Sequence, residues 1–244
     1  MGGDWQNIAA DIQELIAVTP DRALPTPRQL RRLEIELSGV DPDGLDLDGG
    51  VQSLVGDRLT ILTARTDAGT GRNLSPEELS EHLKPTPFIR SDHPRLLAVL
   101  EESCDPAAVA EDKIRSILDW IRRNITASPT FSLPNTLEVL ESRKGDCNEF
   151  AVLFCSLARA AGIPTRIALG LVYLDSAFYY HAWCESALDG EWVAVDPVFG
   201  QFPADAAHVR LIAGALERQV EILPLIGNLE IKVLDCEVDG TDGY

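Results

Sequence analysis

Residues 145–164 read GDCNEFAVLFCSLARAAGIP, and this stretch decides the fold prediction. A helix-forming run follows its polar start, Gly162 stands where a helix end favours glycine, and Pro164 comes just beyond. Cys147 therefore falls in the first turn of a helix. The backbone N–H groups and the dipole at that end favour a negative sulfur, which is the nucleophilic form of cysteine.

Three strands are predicted after this helix. They are rich in β-branched and aromatic residues, and short polar turns separate them. The turn between the second and third strands is Asp189-Gly190, a strong signal for a two-residue hairpin, which places Leu188 opposite Glu191. The predicted strands comprise residues 165–174, 178–188 and 191–196.

The hairpin register places His181 and Asp196 on one sheet face as diagonal neighbours. Their Cβ atoms are then about 7 Å apart or less, within reach of a hydrogen bond between imidazole and carboxylate. The same face is expected to pack against the helix that begins at Cys147. The sequence thus predicts a nucleophile, a base and an orienting acid in the chain order Cys, His, Asp.

Four motifs follow one another in this half of the chain: GDCNEFA at 145–151, AAGIP at 160–164, HAW at 181–183 and WVAVDP at 192–197. Together they resemble the transglutaminase-like superfamily, particularly its bacterial members, over residues 92–212. The resemblance implies a papain-like arrangement of helix and sheet and cysteine-dependent acyl transfer. Carried over by position, it makes Cys147 the nucleophile, His181 the acid/base and Asp196 its orienting partner.

The fold class implied is α+β, with a transglutaminase-like, papain-like core of helices packed on an antiparallel sheet. A small N-terminal module of helix and β-hairpin, residues 1–90, is predicted to precede a catalytic domain, residues 91–244. The hairpin is expected over residues 51–65, with Gly56-Asp57 as its turn. Helices are predicted over residues 5–18, 28–37, 106–124 and 135–142, and from Pro76 to before Pro85.

Charge and hydropathy narrow the classes of partner. Lysine and arginine number 21 against 39 acidic residues, a net charge of −18, which excludes nucleic acid as an expected partner. The sequence has no apolar run near the roughly 20 residues of a membrane helix, so no membrane insertion is expected.

The start, Met1–Trp5, lacks the features of a signal peptide. The chain as given is predicted to be cytoplasmic, and periplasmic or in the cell envelope if a signal peptide has been removed.

Metal and disulfide chemistry find little support in the sequence. The five cysteines are too few and too scattered for a disulfide scaffold, and their odd number leaves at least one free thiol. No C-x-x-C or H-x-x-x-H pair suggests zinc. The acidic run 41–48 is not a calcium loop, because Leu45 and Gln52 stand at two of its ligand positions. The sequence predicts neither a metal site nor a cofactor.

The sequence also suggests roles for the other cysteines, histidines and aromatic residues. Cys155 and Cys184 are predicted to be buried and inert, and Trp183 to line the cleft as a substrate-binding residue. The backbone N–H of Cys147 is the first expected oxyanion donor, and no side-chain donor is assigned. His82, His93 and His208 show no partner pattern in the sequence and are expected at the surface.

Three functions remain open for a site of this kind acting on a peptide or protein substrate. If water accepts the acyl group, the protein is a peptidase or amidase; if a primary amine does, it is a transglutaminase. A third alternative is a non-catalytic domain that binds a peptide in the same cleft. Hydrolysis is favoured, because an amine tunnel usually needs aromatic walls and only 6% of the residues are aromatic. The oligomeric state is not predicted.

Overall fold

The computed structural model describes residues 17–63, 74–130, 134–214, 216–225 and 227–238. The helices are α1 (Pro76–Glu81), α2 (Pro94–Ser103), α3 (Ala110–Asn124), α4 (Thr136–Ser142) and α5 (Cys147–Ala160), with 3-10 turns at Pro27–Gln29 and Leu216–Leu225. The strands are β1 (Leu30–Ser38), β2 (Gln52–Val55), β3 (Arg58–Leu62), β4 (Thr126–Ala127), β5 (Lys144–Gly145), β6 (Thr165–Leu174), β7 (Ala177–Leu188), β8 (Glu191–Val195), β9 (His208–Gly214) and β10 (Glu230–Val238). The α+β fold class is confirmed.

The sheet that carries the candidate site has the strand order β8-β7-β6-β9 and is antiparallel throughout. Its first three strands in the chain, β6, β7 and β8, are those predicted from the sequence. Leu188 pairs with Glu191 across the Asp189-Gly190 turn, so the predicted hairpin register is correct. The fourth strand, β9, was not predicted.

Helix α5 begins at Cys147, as the sequence predicts. Asp146 is its N-cap and forms a capping box with Glu149, and Gly162 follows its end with a positive φ of 82°. These local signals fix the place of the cysteine before any tertiary contact is considered.

The predicted packing of α5 on the sheet is wrong in one respect, the face that it covers. Cys184 donates from Sγ to the backbone carbonyl of Ala151 in α5, at 3.3 Å, and Tyr180 contacts Asn148 at the start of the helix. These residues alternate with His181 along β7 and point to the other face. Helix α5 therefore packs on the face opposite His181.

A second antiparallel sheet has the order β10-β1-β3-β2. The hairpin of β2 and β3 is the one predicted, whereas the helix predicted over 28–37 is strand β1. Leu30, Leu33 and Leu37 fit a helical period, but Leu33 and Ile35, two positions apart, are both 0% exposed, as in a strand. Pairing with β3 and with the distant β10 decides in favour of the strand.

The C-terminal strand β10 thus lies in the same sheet as β1. Leu33 and Ile35 of β1 belong to one buried apolar cluster with Ile231 and Val233 of β10 and with the apolar face of α5. The division of the chain near residue 90 stays a prediction. The helix predicted over residues 5–18 lies outside the described residues.

Among the other helices, one begins later than the sequence predicts. The helix predicted over 106–124 begins only at Ala110, because Asp105 accepts from Ala107 N in a turn before it, at 2.8 Å. Helix α2 was not predicted. Helices α1 and α4 begin after Ser75 and Asn135, as expected. Among the described residues, no helix combines the length and the apolar character needed to cross a membrane.

Gly170 provides a test of the packing of the site-bearing sheet. It lies opposite His181 in β7 and Arg210 in β9. A Cβ atom there would lie 2.1 Å from the Val209 carbonyl oxygen and 3.0 Å from Leu211 N. We expect Gly170→Ala to lower the free energy of unfolding by about 2–3 kcal/mol, measured by urea denaturation.

Gly44→Ala is the matched control. Gly44 has a φ of 94° but no atom within 4 Å of an added Cβ, so only backbone strain of about 1 kcal/mol is expected. Equal losses in the two variants would show that the close contact at Gly170 does not limit stability.

Candidate active site

A buried pair formed by His181 and Asp196 lies at the end of the β7–β8 hairpin. The Nε2–H of His181 donates to Asp196 Oδ2 over 2.8 Å. The hairpin pairing ends at Cys184 and Val195, and Asp196 then bridges to Gln201 across a turn. The two side chains are neighbours, as the register predicts.

The Asp196 carboxylate is 0% exposed and accepts four hydrogen bonds. Its Oδ1 accepts from the backbone N–H groups of Val198 at 2.7 Å and Phe199 at 3.0 Å. Its Oδ2 accepts from His181 and from Nε2 of His208, the latter at 2.9 Å. Since an ionised carboxylate offers about four acceptor positions, its capacity is filled.

His208 is the residue that the sequence analysis missed. It was expected at the surface, but it is buried, and that prediction is wrong. Its Nδ1 contacts the backbone carbonyl of Asp205 at 3.0 Å and the carboxylate oxygen Oδ1 at 3.2 Å. Asp205 is itself held by Arg28 Nη1 at 3.1 Å and by Gln201 Nε2 at 2.7 Å.

No local pattern links His208 to Asp196, because β9 and β8 are opposite edges of the sheet. The sequence offers only a weaker indication that His208 is a buried polar residue. Polar His208 and Arg210 alternate with apolar Val209 and Leu211, which is typical of a strand with two different faces. An acid three residues before the histidine completes that signal.

The edge of β7 beside His181 has a gap. On the side away from β6, β7 pairs with β8 at Cys184–Leu188 and with Val18 at Phe178. Within the described ranges, no strand lies beside the residues between them, 179–183. This gap is where the start of α5 and the imidazole can meet.

Cys147 lies at this gap, close enough to His181 for its sulfur to help raise the pKa of the imidazole. Close by, the phenol oxygen of Tyr180 is 3.4 Å from Oδ1 of Asn148, the second residue of α5. Because Nε2 of His181 binds Asp196, Nδ1 is the nitrogen left for the thiol. The imidazole is thus held between a sulfur and a carboxylate, the arrangement needed for a nucleophile and its base.

The pKa shifts at the site follow from these contacts. Burial lowers the pKa of His181, but the charges of Asp196 and Cys147 outweigh it and raise the value to about 9. Burial likewise lowers the pKa of His208, and its bonds to Asp196 and Asp205 raise it to about 9. Burial raises the pKa of Asp196, yet the two histidines hold it well below its usual range.

Two acids organise the chain just before and after Cys147. Asp146 Oδ1 accepts from Asn148 N, and Glu149 Oε2 accepts from Asp146 N, each at 2.9 Å. Burial raises the pKa of Glu149 to about 7, and the neighbouring Asp146 adds to the shift. Both side chains satisfy N–H groups at the helix start, which fixes the position of the thiol.

Aromatic rings pack on the two imidazoles. Phe199 stacks on His181 with centroids 5.3 Å apart and is 38% exposed. Trp183 lies 5.3 Å from His208, edge to face, and 6.2 Å from His181. Because Trp183 is 1% exposed, its visible role is to support the histidines, and its assignment as a substrate-binding residue stays a prediction.

The remaining predicted residues lie away from this cluster. Cys155 is buried, with Sγ 3.4 Å from the Thr165 carbonyl, and Cys184 is buried against α5. His82 and His93, expected at the surface, are half-buried. The ring of His82 lies edge-on to Trp192 at 5.0 Å, and His93 accepts from Arg95 N as the cap of α2.

His181, Asp196 and His208 offer ligand atoms within 4.8 Å of one another, the kind of cluster that can hold a metal ion. Each of these atoms already takes part in a hydrogen bond with another member of the cluster. Three such groups sharing protons form an acid–base network, so we do not assign them as metal ligands. Among the described residues, no contact identifies an oxyanion side chain.

Residues 98–197 match the model of a family described as the Transglutaminase-like superfamily. This part of the chain is similar to that superfamily. The matched residues contain Cys147, His181 and Asp196 and end before Asp205 and His208. The recognition made from the four sequence motifs is therefore confirmed.

Two solved structures share the fold of this chain. A candidate cysteine protease from Cytophaga hutchinsonii is 19% identical, with 93% of this chain and 86% of that chain covered and a TM-score of 0.52. The periplasmic domain of TgpA from Pseudomonas aeruginosa, bound to ethylmercury, is 19% identical, with 78% and 94% covered and a TM-score of 0.53. These identities show the fold alone. No curated protein matches the sequence.

The two raised histidine pKa values predict how stability depends on pH. A group whose folded pKa of about 9 exceeds its unfolded value of about 6.5 stabilises the fold fully below about pH 6.5. That stabilisation is lost as pH rises through 9. We expect the melting temperature to fall by about 5 °C or more between pH 7 and pH 10.

The same pH series on His208→Gln separates this effect from other titrations. One of the two imidazolium groups is then absent, so the melting temperature should fall less over the same interval. An equal decrease in the variant and the unmodified protein would assign the pH dependence to other groups.

Proposed function

We propose that the protein carries out cysteine-dependent acyl transfer from amide bonds of peptide or protein substrates, with water as the final acceptor. The observation that supports this most directly is the placement of His181 between the Asp196 carboxylate, at 2.8 Å, and the Cys147 thiol at the start of α5. The similarity of residues 98–197 to the superfamily agrees with an enzyme of this general kind.

In the first step, the Cys147 thiolate attacks the carbonyl carbon and a C–S bond forms. The backbone N–H of Cys147 is the first donor to the developing oxyanion, since N–H groups in the first helical turn lack partners within the helix. His181, which holds the thiol proton, passes it to the departing amine as the C–N bond breaks. An acyl-thioester remains on the enzyme.

In the second step, water attacks the thioester carbonyl while His181 takes its proton. The C–S bond then breaks, and the proton returns from His181 to the sulfur as the acid product leaves. Asp196 fixes which ring nitrogen faces the sulfur and stabilises the imidazolium formed in each step. The proton balance closes over one turnover without a cofactor.

The proposal of water as acceptor is supported by where the aromatic side chains lie. Trp183 and Trp192, two of the candidate walls of an amine tunnel, are 1% and 5% exposed and so have no surface to offer an acceptor. Phe199 is the exposed ring that stacks on His181. Two buried indoles leave fewer rings to wall an amine tunnel, which favours access of water to the thioester.

Cys147→Ala tests the nucleophile. We expect amide-cleaving activity on a peptide library to fall by at least about a thousandfold, with the circular dichroism spectrum unchanged, because the reacting sulfur is removed from a first-turn position. Cys104→Ala is the control: Cys104 caps the end of α2, away from the site contacts, and its activity should match that of the unmodified protein. Retention of activity in Cys147→Ala would exclude this mechanism.

Alkylation separates the enzyme from a non-catalytic binding domain. At mildly acidic pH, iodoacetamide should modify Cys147 well before the other four cysteines, since His181 takes up the thiol proton. Burial raises the pKa of Cys104, which should therefore react slowly. Equal and slow labelling of all five cysteines, located by mass spectrometry, would favour the binding domain.

Trapping the acyl-enzyme tests the acceptor. A glutamine-containing peptide is incubated with the protein and a millimolar primary amine, and both products are followed by mass spectrometry. We expect free acid to predominate. Predominant amine conjugate at that amine concentration would instead indicate a transglutaminase.

A further inference from the structure

His208 has hydrogen-bond acceptors at both ring nitrogens. Its Nε2 faces Asp196 Oδ2 at 2.9 Å. Its Nδ1 faces the backbone carbonyl and the carboxylate of Asp205 at 3.0 and 3.2 Å. A neutral imidazole has one N–H and would set a lone pair against an acceptor, whereas an imidazolium donates from both nitrogens. The contacts therefore require the charged form.

The surroundings keep that charge in place. Asp205 is bound on its far side by Arg28 and Gln201, so its carboxylate does not turn away from His208. Trp183 packs edge-on to the imidazole at 5.3 Å and Phe199 at 6.3 Å, and neither ring carries a charge. The ring of His181 is the remaining titratable neighbour, with its centroid 6.0 Å away.

We propose that His208 is a positioning residue: a buried imidazolium that shares the Asp196 carboxylate with His181 and thereby sets the pH range in which the Cys147–His181 pair is active. This inference rests on the proposed function. His208 touches neither substrate nor sulfur in this role; it acts through Asp196. The network alternates in sign from Asp205 through His208, Asp196 and His181 to Cys147.

The direction of the effect follows from the charge. A cation about 6 Å from His181 in a site shielded from water makes it harder for that site to hold a further proton. Without the charge of His208, the imidazole of the pair keeps its proton to higher pH, and a negative sulfur beside it is stabilised less. The two limbs of the activity profile should therefore move in the alkaline direction together.

His208→Gln tests the proposal in the full chain. The glutamine amide still offers an N–H donor to Asp196 but carries no charge. We expect both limbs of kcat/KM against pH, and the pH midpoint of Cys147 alkylation by iodoacetamide, to rise by about one unit. Lower rates at every pH with unmoved limbs would mean a merely structural role and would overturn the proposal.

Alkylation of Cys147 needs no substrate. The proposed acyl-transfer function and the proposed role of His208 can therefore be rejected independently. Absent turnover with a shifted alkylation profile would count against the proposed function and support the role of His208. Normal turnover with an unshifted profile would retain the function and reject this role. EDTA is included throughout, so that a bound metal ion does not produce the shift.

His82→Gln is the matched control. Burial and the charge of Arg166 lower the pKa of His82 to about 4, so this histidine is neutral across the range measured. It packs against Trp192, outside the network. The profile of this variant should coincide with that of the unmodified protein, and an equal shift would show that loss of any histidine has the effect.

A measurement on the unmodified chain covers the case in which His208→Gln does not fold. Nitrogen-detected NMR of the histidine rings distinguishes an imidazolium from either neutral tautomer. His208 should show two protonated nitrogens at pH 8. A neutral ring at that pH would overturn the proposal.

Discussion

The Asp196 carboxylate is the group on which the arrangement of the site depends. A buried carboxylate without partners would cost several kcal/mol, but this one accepts hydrogen bonds from two backbone N–H groups and two imidazoles. The donors come from the turn after β8, from β7 and from the start of β9. The Asp196 carboxylate therefore connects the edge strands β8 and β9. Its hydrogen bond to His181 fixes the orientation of that ring.

The place of the nucleophile depends on a different constraint, the packing of α5. The helix covers the sheet face opposite His181, so the sulfur does not reach the imidazole through the sheet. It does so at the edge of β7 away from β6, because β8 ends at Val195 and no other strand among the described residues lies beside His181 on that edge. The early end of β8 and the turn that carries Asp196 are thus one feature with two effects: it opens the edge for Cys147 and returns the carboxylate to His181.

Local signals account for the parts of the molecule that the sequence predicts. The capping box at Asp146 and Glu149 places Cys147, and the Asp189-Gly190 turn fixes the register that brings His181 to Asp196. The predictions are wrong where contacts between distant parts of the chain decide the structure. Leu30, Leu33 and Leu37 fit a helical period, and only the pairing of β1 with the distant β10 makes the segment a strand. The sheet face that receives α5 is likewise set by packing, which the alternation of side chains along a strand leaves undetermined.

His208 shows why a motif does not contain the whole site. The family match ends at Pro197, yet two of the four donors to the carboxylate, Phe199 and Val198, follow immediately, and a third, His208, comes from an edge strand on the other side of β6. The chemistry of Cys147 and His181 needs a carboxylate that is charged, fixed and out of contact with water. In this chain those properties are completed by residues outside the matched segment. The motif therefore indicates which groups are proposed to react, and the surrounding sheet sets the environment of the carboxylate.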